Sequence, residues 1–90
     1  MAKTHDCPAG ERTVLVRNIA ARGLRREFTI EYQGSAGGSV EVRRGPFPFF
    51  VFSSSETMPL ASGMKVLRGF FDASFELAVI PNQPLQITVR

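Results

Sequence analysis

The chain has 90 residues, of which 43% are hydrophobic and 21% charged, with a formal net charge of +3. That length holds one small domain and leaves no room for a second. The composition excludes a disordered tail and a collagenous repeat, and no apolar run approaches the ~20 residues of a membrane span.

A core of this size supplies roughly 3–5 kcal/mol of net stability, and small domains often add a disulfide, a metal or a partner. Cys7 is the only cysteine, so an intramolecular disulfide is impossible. His5 is the only histidine, so a His-rich metal cage is impossible too. No metal or cofactor is expected. Association remains as the supplementary source of stability, and a homo-oligomer or a larger assembly is the expectation.

Residues 1–11, MAKTHDCPAGE, have no periodicity and carry Pro8 and Gly10. They read as an extended arm, either a frayed terminus or an arm crossing to a neighbour through residues such as Thr4, His5 and Pro8. Met1 to Thr13 is polar, without the apolar stretch of a secretory signal. The expectation is a chain made and kept in a reducing cytosol, in keeping with its single free thiol.

Residues 12–90 read as one β domain. Residues 12–17, RTVLVR, predict a strand. Residues 18–26 predict a loop or one helical turn, because Gly23 costs ~1 kcal/mol inside a helix. EFTIEYQ, 27–33, alternates strictly: Phe28, Ile30 and Tyr32 against Glu27, Thr29, Glu31 and Gln33. That period of two predicts one buried and one wet face. Gly34 to Gly38 then reverses the chain, and Val40 to Arg44 alternates again, so a hairpin is expected. Setting Glu31 opposite Arg43 is preferred over setting it opposite Glu41, since opposite charges across strands contribute ~0.2–1 kcal/mol.

Pro46 and Pro48 exclude a central strand at their own positions, leaving Phe49 to Ser53 as a strand and 54–63 as a loop. Residues 64–71 predict a strand that Gly69 interrupts with a bulge. Residues 75–80 and 85–89 predict two more. The short Pro-Asn-Gln-Pro connection makes them antiparallel neighbours. Seven short strands in one domain predict an all-β fold, a small antiparallel sandwich or barrel. The expected core is Val14, Val16, Phe28, Ile30, Tyr32, Val40, Val42, Val51, Val66, Leu77, Val79, Leu85, Ile87 and Val89.

Catalytic chemistry is poorly served. His5-Asp6-Cys7 are adjacent, but adjacency is not the geometry of a nucleophile, base and orienting group. Glu27, Glu31, Glu41 and Glu76 read as solubility residues on wet faces. Gly37-Gly38 precedes no helix and cradles no phosphate. A non-enzymatic role is the expectation.

Two surface constellations remain. Phe47, Phe49, Phe50 and Phe52 crowd six positions, and alternation sends them to both faces of a strand. Phe70 and Phe71 repeat the pattern. Such a segment is either a strand covered on both sides or a partner-binding face. The second constellation is basic. Arg22, Arg25, Arg26, Arg43, Arg44 and Arg68 flank the aromatic strands. They suit an anion or a single strand of nucleic acid, as in a five-stranded OB-like module. Nine of the eleven basic residues are Arg, which reflects either bidentate recognition or a high-GC genome.

In architecture, MAKTHDCPAGE, EFTIEYQGSAGGSVEVRR and FELAVIPNQPLQITVR together resemble the small all-β accessory proteins of tailed-phage virions, the capsid decoration or cement class. The resemblance spans the whole chain. It implies binding by arm and apolar flank to a capsid lattice, as an oligomer at symmetry axes, and a virion location. It carries no residue-level assignment.

Overall fold

An alternating strand has one face to bury, so it needs a second layer to bury it against. The computed structural model describes residues 3–18, 26–35, 37–45, 54–68 and 74–90. Eight strands run through them: β1 (Lys3–Cys7), β2 (Thr13–Asn18), β3 (Arg26–Tyr32), β4 (Gly38–Gly45), β5 (Ser54–Pro59), β6 (Met64–Arg68), β7 (Ser74–Pro81) and β8 (Leu85–Val89). They form two antiparallel four-stranded sheets, ordered β1-β8-β3-β6 and β2-β7-β4-β5. No helix occurs among the described residues.

The pairing is nested. β1 bonds β8, β2 bonds β7, β3 bonds β6 and β4 bonds β5. The chain is thus one long two-stranded ribbon with its tip between β4 and β5. Two further pairings, β8 with β3 and β7 with β4, roll the ribbon into two sheets. This is the strand order of a jelly roll, an eight-stranded double-sheet design.

The all-β expectation holds, with eight strands in place of seven and four corrections. Lys3–Cys7, expected within the arm, is the edge strand β1. It has little apolar patterning because an edge strand is protected by polar and charged residues. Ser54–Pro59, expected as loop, is the edge strand β5, bonded only to β4. Its Pro59 is tolerated because it sits at the end of an edge strand.

The other two corrections concern neighbours. β3 and β4 are not a hairpin; they lie in different sheets, and neither proposed register occurs. β7 and β8 are likewise split between the sheets. Alternation says which face of a strand is buried. It is satisfied equally by two strands bonded side by side and by two facing each other across a core. The loop or turn expected at 18–26 gives up its ends to the strands, Asn18 closing β2 and Arg26 opening β3; its remainder, the strand expected at 49–53 and the bulge at Gly69 lie outside the described residues.

One core joins the two layers. Phe28, Ile30, Val66, Ile87 and Val89 from one sheet meet Val40, Val42, Leu77 and Val79 from the other. Phe28 and Phe75 stack across the gap, ring centroids 5.5 Å apart and planes 15° from parallel. Val16, Tyr32 and Leu85 pack on the margin, as the alternation predicts. Cys7, Leu15, Leu60 and Phe75 are additional core members. Val14 is a correction: it pairs with Ala78 outside the core cluster. Val51 lies outside the described residues. The register of β2 on β7 shifts between Val14 and Val16, so Leu15 and Val16 both pack on the core. Such a bulge explains why TVLV shows no period of two.

Four connections cross between the sheets at one end: 8–12, 33–37, 60–63 and 82–84. Their backbones bond one another. Gly10 N donates to Pro81 O, Asn82 N to Gly37 O and Leu60 N to Gly38 O, at 2.8, 3.0 and 3.0 Å. Gly37 N donates in turn to Asn82 Oδ1 at 3.0 Å. At Gly38, with φ +145°, a Cβ would stand 2.4 Å from Ile80 O and 2.8 Å from Pro81 Cα. Only glycine lets β4 approach β7 there. Gly38→Ala therefore lowers stability by about 2–4 kcal/mol in urea unfolding. Gly34→Ala, at φ +96° with nothing within 4 Å of its Cβ, costs only about 1 kcal/mol. Equal losses would contradict the close approach.

Candidate interaction surface

Strand alternation sorts the arm residues first. On β1, His5 and Cys7 sit opposite Ile87 and Leu85 on the core side, while Thr4 and Asp6 sit opposite Thr88 and Gln86 on the outside. Thr4 Oγ1 and Thr88 Oγ1 are 3.1 Å apart in a hydrogen bond, and Pro8 is exposed just beyond the strand. Asp6 thus lies on the face opposite His5 and Cys7, and the tripeptide forms no relay. Burial pushes the Cys7 thiol above its ordinary value, against a hydrogen bond with Thr13. A buried, protonated thiol is a poor nucleophile. Burial, then the Lys3 charge, holds the His5 imidazole below its ordinary value. Its Nε2 is buried without a hydrogen-bond partner among the described residues.

The outer face of the β2-β7-β4-β5 sheet carries a charge cluster that the sequence pattern hides. Glu76, expected on a wet face, is 0% exposed. Arg12 Nη2 bonds its Oε1, and Arg17 bonds its Oε2 through Nε at 3.0 Å and Nη2 at 2.8 Å. Arg12 Nη2 also reaches Glu41 Oε1 at 3.2 Å. The β2 bulge makes this possible, because the extra residue at Leu15 brings Arg17 to the outer face opposite Glu76. The guanidinium groups of Arg17 on the edge strand and of Arg12 just before it are thereby clamped to the neighbouring strand β7. Glu27, Glu31 and Glu41 remain partly or fully exposed, as expected.

The basic residues divide into two sets. Arg43 lies on the outer face of β4, opposite Glu76 on one side and Ser55 on the other. Arg26, Arg44 and Arg68 share the inward phase of their strands, with Phe28, Val42 and Val66, at the end away from the four crossings. Arg26 and Arg68 are register partners. The Arg26 guanidinium stands 4.8 Å over the Phe28 ring, which itself stacks on Phe75. Arg44 donates to Glu56 Oε2 and to Leu67 O, both at 3.0 Å, and so ties β4 to the facing edge strand β6. Arg68 is 5% exposed. Arg22, Arg25, Phe47, Phe49, Phe50, Phe52, Phe70 and Phe71 lie outside the described residues. Alternation in β3, β4 and β6 was the available signal for the Arg26–Arg44–Arg68 grouping. The sheet order needed to read it was not.

No protein-family model, curated protein or solved structure matches the chain. The site is therefore read from its own geometry. Phe28, Tyr32 and Phe75 all take the inward phase, so the described outer sheet faces carry no aromatic platform. The two-sheet architecture also differs from the five-stranded barrel of an OB module.

The Glu76 cluster makes a pH prediction. Burial alone would raise the Glu76 carboxyl, but the hydrogen bonds and charges of Arg12 and Arg17 outweigh it and hold it below its ordinary 4.5. A depressed carboxyl contributes stability above its unfolded value and loses that contribution as pH falls through its folded value. Glu76→Gln should cost about 2 kcal/mol at neutral pH. The gap to the unaltered protein should narrow as pH falls below 4.5. Urea titrations across that range check it; a gap independent of pH would show that the carboxylate charge is not responsible.

Proposed function

We propose that the chain is a non-enzymatic structural subunit that binds a protein assembly, and that the assembly is a virion lattice on which it acts as a capsid decoration or cement protein. The supporting observation is topological. The strand ends at Asn18, Arg26, Gly45, Ser54, Arg68 and Ser74 lie at one end of the two sheets, as the pairings of Asn18 with Phe75, Arg26 with Arg68, Arg44 with Ser54 and Gly45 with Ser74 require. The connections 19–25, 46–53 and 69–73 leave from that end and return to it. Their sequences hold six of the eight Phe and two of the nine Arg. A two-sheet frame whose strand ends leading into these Phe-rich sequences lie together suits a partner surface, since aromatics and Arg dominate binding energy at interfaces.

Jelly-roll strand order is frequent among capsid domains and also among lectins. That analogy agrees with the virion reading but does not carry it, because one fold hosts many functions. A virion location for the chain follows from the proposal.

A second reading, binding of single-stranded nucleic acid, draws on the convergence of Arg26, Arg44 and Arg68 at the same end. It requires affinity that falls steeply with salt.

Light scattering of the pure protein and co-sedimentation with the particle it accompanies test the first reading. The expected result is self-association above the 9.9 kDa chain mass, stoichiometric co-sedimentation, or both. Replacing Phe49, Phe50 and Phe52 by Ser should weaken the association about tenfold or more. Circular dichroism of that variant separates lost binding from lost folding. A monomer that ignores the particle, together with salt-sensitive binding of single strands, would replace the first reading by the second.

A further inference from the structure

β1 is held by one strand. It bonds β8 along Lys3–Cys7, and its other edge carries no strand among the described residues. Its inward residues are Lys3, His5 and Cys7, opposite Val89, Ile87 and Leu85. His5 is the middle one, so its ring seats the strand over Ile87. The ring is partly exposed as a whole, but Nε2 is buried and has no hydrogen-bond partner among the described residues.

The surroundings suit a neutral imidazole and oppose a charged one. From β8 the inward residues are Leu85, Ile87 and Val89, none of them ionisable. β7 packs on β1 from the other sheet. Its inward Leu77 and Val79 are apolar, and its Glu76 lies on the outer face with Arg12 and Arg17. On β1 itself the inward ionisable groups are Lys3, a like charge, and Cys7, whose buried thiol donates to the His5 carbonyl at 3.7 Å. Asp6 points to the outer face and accepts from Gln86 Nε2 at 3.4 Å. An imidazolium carries a proton on both nitrogens. Its Nε2–H would be a charged donor, buried, unpaired and on the same strand face as Lys3, which is the costly arrangement.

We infer that His5 is an acid-operated latch on β1: the neutral ring holds the strand on β8, and the protonated ring releases it. Release breaks the β1–β8 bonds and no other strand pairing among the described residues. It stops at the following connection, where Gly10 N is bonded to Pro81 O at 2.8 Å. It uncovers Ile87 and frees the backbone groups along one edge of β8, a template for another strand. The inference does not rest on the assembly-binding proposal, and either can fail alone.

Burial, then the Lys3 charge, holds the docked imidazole below its ordinary 6.5, the value to which release returns it. Between those two values the released state binds more protons. Docking is therefore fully favoured above 6.5, weakens as pH falls through it, and levels off below the docked value.

The test is amide hydrogen exchange of the full chain, followed by NMR and corrected for the intrinsic pH dependence of exchange. The amides that bond β1 to β8 should lose protection severalfold from about pH 7.5 to about pH 5.5, with a ceiling of about tenfold. Histidine is the side chain that titrates in this window, and His5 is the only one. Amides between β4 and β7 should keep their protection. His5→Phe keeps a ring over Ile87 and should abolish the loss. The imidazole resonances of the unaltered chain give a reading independent of any variant: His5 should titrate below 6.5. Titration at or above that value, β1 protection that is flat with pH, or a loss that persists in His5→Phe would overturn the inference.

Discussion

Four crossings between the sheets meet where Gly38 packs on the backbone of Ile80 and Pro81, and the register of the central strands follows from that contact. β4 and β7 pair from Gly38 with Pro81 through Gly45 with Ser74, the longest pairing among the described residues. Once Gly38 is seated on Pro81, Val40 faces Val79 and Val42 faces Leu77 on the core side. A slip of β4 by one residue would turn Val40 and Val42 outward and bring Glu41 in. The crossing end thus fixes the phase of the whole core. The Phe28–Phe75 stack then joins the two layers toward the other end, and truncating Phe75 removes a contact of the kind worth about 3–5 kcal/mol.

The two ends consequently differ in what their sequences are suited to. At the crossing end, short connections are spent on one another's hydrogen bonds through Gly10, Gly37, Asn82 and Leu60. At the opposite end, the described strand termini present Arg26, Arg44 and Arg68, and the connections between them are rich in Phe. Long connections on a rigid frame are where binding residues concentrate. The outer face of the second sheet is closed instead by the Arg12–Glu76–Arg17 cluster, which serves the β2 edge.

Much of the fold was legible in the sequence, and its failures have physical reasons. Strict alternation over Phe28–Tyr32 and Val40–Val42 identified strands and their buried faces correctly. The same alternation misled on neighbours, because facing strands and bonded strands have the same pattern. The edge strands β1 and β5 were missed because KTHDC and SSETMP need only one neighbour and keep their other edge polar. Glu76 read as wet because its burial depends on arginines 64 and 59 residues away. The arginine grouping at one end was hidden for the same reason: Arg26, Arg44 and Arg68 come together only through the sheet order.

The proposed division between a locking end and a binding end is tested most directly by hydrogen exchange on the chain alone and in complex with the proposed assembly. The proposal predicts new protection within 46–53 and 69–73 and at the adjoining strand ends Gly45, Ser54, Arg68 and Ser74. It predicts no change at 33–37, 60–63 and 82–84, where the crossings already bond one another. Protection confined to those crossings, with 46–53 and 69–73 unchanged, would contradict it.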